Sequence, residues 1–273
     1  MTVENYPGSF ASSRKGERPR AFGLHDRLRA SGIHLVVCLL VAASVLALVY
    51  LLWYPGPLAD VSDVGKILPI LLAVDVALGP ILTFAVFDRR KRSLKADLAC
   101  ICVLQAVALL YGLYTVELGR PHYLVFVKDR FEVVSKADLR PEDDVAARGN
   151  PAAKSSWTGP RVIAAEMPAT PEERNRILFE AVLGGRDVQH FPVLYRDYGT
   201  QAGTAAARAR PLGELRALNP DLTSLLDDAV SRSGRPEASL GFLAVKGPAG
   251  DGSMLVDISS GEVVEMVGLR PWQ

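Results

Sequence analysis

Residues 33–53 read IHLVVCLLVAASVLALVYLLW, a run with no Asp, Glu, Lys or Arg. As a helix rising about 1.5 Å per residue it crosses a hydrocarbon core of about 30 Å. Trp53 and Tyr54 close it, and amphipathic rings at the end of a span favour the membrane–water boundary as interface anchors. Pro55-Gly56-Pro57 then stops the helix and turns the chain.

Two more apolar runs follow. Residues 67–87 form the second, interrupted by Asp75 and by Gly79-Pro80, and residues 98–116 form the third, which contains Gln105. The three spans, 33–53, 67–87 and 98–116, define a transmembrane region over 25–119. Residues 1–24 are rich in Ser, Gly, Pro and Arg and lack apolar periodicity, so they read as a disordered cytoplasmic tail. They do not read as a signal peptide, because the apolar run after them is too long and no small-residue cleavage site follows.

Orientation comes from the loops. Arg27 and Arg29 precede the first span, and Arg89, Arg90, Lys91, Arg92 and Lys95 separate the second from the third. The loop between the first two spans holds Asp60, Asp63 and only Lys66. Positive charge stays cytoplasmic, so these residues act as topology determinants and an odd number of spans exports residues 120–273. The expected location is a bacterial inner membrane, with the amino terminus cytoplasmic and a periplasmic carboxy-terminal domain.

Composition agrees. The chain has 273 residues, 49% of them apolar, and a mean hydropathy of +0.17, high for a soluble protein. A net charge of +1 gives no reason to expect nucleic acid as a partner. Cys38, Cys100 and Cys102 all fall in apolar runs. Residues two apart on a helix point away from each other, so Cys100 and Cys102 read as buried small hydrophobes and not as a redox pair.

The exported domain reads as α+β, an antiparallel sheet with two or more helices. Residues 123–127 and 131–134 form a hairpin, residues 136–160 a surface loop, and residues 161–165 and 191–195 further strands. Thr170-Pro171-Glu172-Glu173 starts a helix that Gly184-Gly185 ends, and Asn219-Pro220-Asp221 starts another that Gly234 ends. Residues 242–246, 254–258 and 262–267 form a meander.

Asp75 is the residue that demands chemistry, because a carboxylate near the bilayer midplane is costly. Three readings compete: a hydrogen bond within the bundle to Gln105 or to backbone freed by Pro80, contact with a client protein's helix, and direct catalysis. An intramembrane aspartyl protease needs a second facing aspartate, and Asp88 and Asp97 belong to the basic loop. His25, His34, His122 and His190 have no metal-ligand spacing, and phosphate loops, dinucleotide fingerprints and nucleophile elbows are missing. No metal, cofactor or enzymatic activity is expected.

The stretches Ser31-Gly32-Ile33-His34-Leu35, Leu52-Trp53-Tyr54-Pro55-Gly56-Pro57 and Val74-Asp75-Val76-Ala77-Leu78-Gly79-Pro80, with Phe87 before the basic loop, are shared with one family. So are Lys95-Ala96-Asp97-Leu98, Tyr111-Gly112-Leu113-Tyr114, residues 120–126 and 129–134, and Leu269-Arg270-Pro271-Trp272. On these motifs the chain resembles the TfpX/TfpZ family of type IV pilin accessory proteins, from about residue 27 to the end. The resemblance implies an inner-membrane protein that assists stability and assembly of the major pilin, with the pilin, other pilus assembly proteins and the bilayer as partners. Asp75, Gly79, Pro80 and Gln105 are then candidates for contact with the pilin helix. The competing reading is a membrane-bound periplasmic sensor that signals through a partner.

Overall fold

The computed structural model describes residues 22–272. Of the expected tail, residues 1–21 lie outside the described residues, and residues 22–24 already belong to the first helix.

Three helices, each long and apolar enough to cross a membrane, pack as an antiparallel bundle. They are α1 (Phe22–Ala47), continued by a π-helical segment (Leu48–Trp53), α2 (Val64–Val86) and α3 (Leu94–Gly119). Each extends beyond the expected span because its ends are amphipathic or polar. The inward stripe includes Ala42, Val45, Val49, Leu68, Leu72 and Val116. Ile67, Ile70, Val74, Leu78 and Ile81 of α2 recur at helical spacing and stay exposed, the face that lipid covers. Cys100 and Cys102 are on the exposed surface of α3, not in the core, and Cys38 is buried; all three are free thiols.

The two ends of the bundle differ in charge. Asp26 and Arg89 pair at 3.3 Å and Lys91 pairs with Asp97, which gathers the basic loop and the start of α1 at one end. At the other end the Tyr54 hydroxyl donates to the Val116 carbonyl at 3.2 Å, and the chain enters the globular domain.

That domain is built on one eight-stranded sheet of order β4-β3-β1-β2-β6-β7-β8, with β5 also paired to β6. The strands are β1 (Pro121–Val127), β2 (Arg130–Ser135), β3 (Arg161–Ala165), β4 (Tyr195–Asp197), β5 (Arg210–Pro211), β6 (Leu240–Lys246), β7 (Asp251–Asp257) and β8 (Val263–Val267). Five helices accompany them: α4 (Pro141–Ala146), α5 (Pro171–Gly184), α6 (Ala202–Arg208), α7 (Leu212–Leu218) and α8 (Thr223–Ser233). The β1–β2 hairpin and the β6–β7–β8 meander form as expected. The sheet is mixed, however, and not wholly antiparallel: β1 pairs with β3 in parallel, and β2 pairs with β6 in parallel. Parallel neighbours need long crossovers and leave no turn signature in the sequence. Residues 191–195 are not a strand either. Pro192 opens a 3₁₀ turn through Leu194, and pairing starts only at Tyr195.

Alternation along the strands sends side chains to both faces. Tyr123, Val125 and Val127 face α5 and residues 188–191, while Leu124, Phe126, Phe131, Leu243 and Val245 face the other way. α7 and α8 cover Phe242, Leu255 and Val267. Leu58 and Val61, from the loop between the first two spans, are buried in the cluster with Leu124, Phe126 and Met254. The backbone joins as well: Ala249 N–H donates to the Val61 carbonyl at 3.0 Å, and Gly159 N–H to the Leu52 carbonyl at 2.6 Å. This loop and the globular domain therefore lie on the same side of the bundle.

Gly261, at φ 73°, tightens the β7–β8 turn, and a Cβ there would overlap the Ala202 carbonyl. Gly234 ends α8 at φ 65° with open space around it. Gly234→Ala should therefore cost about 1 kcal/mol, the conformational penalty alone. Gly261→Ala should cost at least about twice that. Thermal unfolding of the purified variants checks the difference, and equal losses would refute the steric account.

Candidate functional site

Two polar clusters and one exposed apolar face stand out from the packing. The first cluster lies between the spans. Gln105 Nε2 lies 3.1 Å from Asp75 Oδ1, 3.0 Å from the Asp75 carbonyl and 3.7 Å from Cys38 Sγ. Gly79 makes this possible, since a Cβ at 79 would occupy the space of the Gln105 amide. One helix turn on, Ser31 Oγ donates to the Pro80 carbonyl at 2.8 Å, and His34 Nδ1 and Thr83 Oγ1 meet at 2.6 Å. Asp75, Gly79 and Gln105 are thus in mutual contact, joining α2 and α3, while Pro80 faces α1. Gly79 and Pro80 are buried; Asp75 and Gln105 are half-buried and keep an accessible edge. Polar pairs of this kind stabilise helix contacts where water is scarce.

The second cluster forms a collar where the bundle meets the domain. Trp53 and Tyr54, expected as interface anchors, sit at this end of the bundle and are covered by protein, at 4% and 3% exposure. Arg120 explains this. Its guanidinium is 5.5 Å from the Trp53 ring and 6.0 Å from the Trp157 ring, and the two indoles lie 5.5 Å apart. It also donates to the carbonyls of Ser156 and, at 2.8 Å, Trp157. Cation–π contact with a desolvated guanidinium adds to this packing.

Glu117, in the last turn of α3, is the anion of the collar. Its carboxylate lies 2.8 Å from Lys136, 3.5 Å from His122 and 3.8 Å from Arg120. His122 is fully buried, and its Nε2 faces the Glu117 carbonyl at 3.4 Å. Both neighbours of Nε2 are acceptors, which assigns the proton to that nitrogen. Burial, reinforced by Arg120 and Lys136, pulls the imidazole down to about 4. The collar is polar and tightly held, but no nucleophile–base pair emerges from it.

The apolar face belongs to α5. Thr170 caps this helix and Gly185 ends it in the left-handed conformation, as the sequence signals predict. Only Ile177 is buried. Leu178, Phe179, Val182 and Leu183 are exposed by 60%, 65%, 74% and 84%, on the face turned away from the core. Arg186 fixes the end of the helix through Glu180 at 2.9 Å and through Asp143.

Comparison with known proteins gives this architecture a context. The pattern of the fimbrial assembly protein FimB family matches residues 17–63, the first span and the loop that docks into the domain. A fimbrial assembly protein of serogroup I from Dichelobacter nodosus is 30% identical over 188 residues, covering 68% of this chain and 72% of the relative. The serogroup E1 protein of the same organism is 28% identical over the same shares. The protein of serogroups C1 and C2 is 34% identical over 113 residues, 41% of this chain and 86% of the relative. The chain belongs to the fimbrial assembly protein family. No solved structure matches it.

Within this fimbrial assembly family member, the collar and the α5 face were the parts that sequence reading missed. Trp157 and Arg120 are 37 residues apart and meet only through the fold. The α5 face did have a signal: Leu178, Phe179, Val182 and Leu183 form an apolar stripe that Ile177 alone does not share.

His122 sets a pH dependence. Above about pH 6.5 the imidazole is neutral in the folded and the unfolded chain, and the stability of the buried neutral form is fully present. As pH falls toward about 4, the unfolded chain takes up a proton that the folded one does not, so stability is lost by up to roughly 3 kcal/mol. His122→Leu should flatten the pH profile of the melting temperature in this window, and an unchanged slope would exclude His122 as its source.

Proposed function

We propose that this protein is an inner-membrane accessory factor for type IV pilus assembly, closest in role to the TfpX/TfpZ proteins it resembles, and that it works by holding pilin and not by catalysis. The basic end of the bundle supports a cytoplasmic assignment for Arg27, Arg29 and the 89–95 loop. The domain and the docked 54–63 loop then face the periplasm. A pilin subunit waits in the membrane as an apolar helix with a globular head outside, and a three-span partner with a periplasmic domain can engage both parts.

The observation that carries the reading is the exposed α5 stripe of Leu178, Phe179, Val182 and Leu183 in a fimbrial assembly family member. Exposed apolar side chains grouped on one helix outside the membrane region mark a protein-contact surface. Its occupant in this reading is the pilin head. The accessible edge of the Asp75–Gln105 pair, flanked by the exposed Val74 and Leu78, offers the pilin helix a polar contact within the bilayer.

Deletion should lower surface pili while pilin transcript stays constant, and the wild-type gene should restore them. Phe179→Asp with Val182→Asp, expressed at wild-type level, should restore about tenfold fewer pili, the loss expected for a contact hot spot. A photoreactive residue at 179 should cross-link to pilin. Full piliation by the double variant, or by the deletion strain, would refute the proposal.

A further inference from the structure

The collar encloses a groove that the fold leaves open. Trp53, Glu117, Arg120, Lys136, Ser155 and Trp157 line a space of about 420 Å³ between the end of the first span, the last turn of α3 and the 155–157 loop. Two of these side chains hold a buried N–H without a protein partner. They are Trp53 Nε1 and Arg120 Nε, on residues only 4% and 3% exposed; neither makes a hydrogen bond, and Arg120 Nε faces the Glu117 carboxylate at 3.8 Å. Indole and guanidinium nitrogens only donate, so whatever satisfies them is an acceptor. Lys136 points a charged amine into the same groove and spends a single N–H on Glu117. An adjoining cleft shares Lys136 and Ser155 and adds Arg148 and Lys154, with Asp144 opposite. Glu117, the one carboxylate in the groove, is already engaged by Lys136, Arg120 and His122.

The groove therefore favours a ligand that is anionic, rich in acceptors and available at the membrane–water boundary. Tyr114 and Leu110, three and seven residues before Glu117, share its side of α3 and are exposed, so an apolar strip descends from the groove into the bilayer. We propose that the groove binds the phosphate of an anionic phospholipid, with one acyl chain lying along Tyr114 and Leu110. The phosphate oxygens accept from Lys136, beside the buried Trp53 indole and Arg120 guanidinium, and the exposed Trp157 indole stands at the rim. The inference rests on the membrane-spanning bundle and is independent of the fimbrial reading.

Native mass spectrometry of the full chain from detergent micelles tests it, with phosphatidylglycerol, phosphatidylcholine or inorganic phosphate as the probe. Wild type should retain one phosphatidylglycerol per chain and hold phosphatidylcholine less tightly, and millimolar inorganic phosphate should not displace the lipid. Lys136→Gln should weaken retention about fivefold, the effect of one cation near a membrane surface. Lys136→Arg should keep it, and Lys95→Gln at the opposite end should leave it unchanged. Equal retention by wild type and Lys136→Gln would overturn the proposal. Displacement by inorganic phosphate would assign the site to a free anion and overturn the lipid, and no retention of any probe would leave only water on the two donors.

Discussion

The burial of Leu58 and Val61 in the sheet is the constraint on which the rest of the structure depends. A loop between two spans is ordinarily a surface connection. Here its apolar residues complete a core that Leu124, Phe126, Phe131 and Met254 would otherwise leave partly exposed. Removing such a side chain costs about 2–5 kcal/mol in a well-packed interior. The loop between the first two spans is consequently part of the domain's core, and α3 feeds β1 across a single residue, Arg120. The collar of Trp53, Arg120 and Trp157 forms where these two connections converge.

Much of the architecture was legible from short-range rules. Long apolar runs gave the spans, the Thr170–Glu173 cap and Gly185 bounded α5, and the turns at 247–252 and 259–261 gave the meander. The Asp75–Gln105 contact was also among the readings weighed for an intramembrane carboxylate. What stayed hidden was non-local. The β2–β6 pairing joins residues more than a hundred positions apart and leaves no spacing to count. The short α6 and α7 carry too few turns for a clear apolar period. Nothing near Trp53 in the sequence announces that Arg120 will stack on it.

The polar groups divide by depth. Asp75 and Gln105 satisfy each other within the bundle, Glu117 and its cations occupy the boundary, and the ion pairs of Arg216, Arg232 and Arg235 stay on the outer surface of the domain. Surface pairs contribute little to stability. The deeper groups hold helices and domain in register, where an unpaired polar atom is expensive. The α5 stripe inverts this pattern, with apolar side chains where water should be.

The β2–β6 pairing also carries a consequence for the order of events during biosynthesis. The 57–61 loop leaves the ribosome early, whereas β6 and β7, whose Leu243, Val245 and Met254 help to bury it, are made nearly two hundred residues later. Until those strands arrive, Leu58 and Val61 have an incomplete shelter. Maturation is thereby tied to completed synthesis and insertion: a half-made chain displays an apolar loop that chaperones and proteases can recognise, and a finished one hides it. The late strands serve as the latch that marks the molecule as whole.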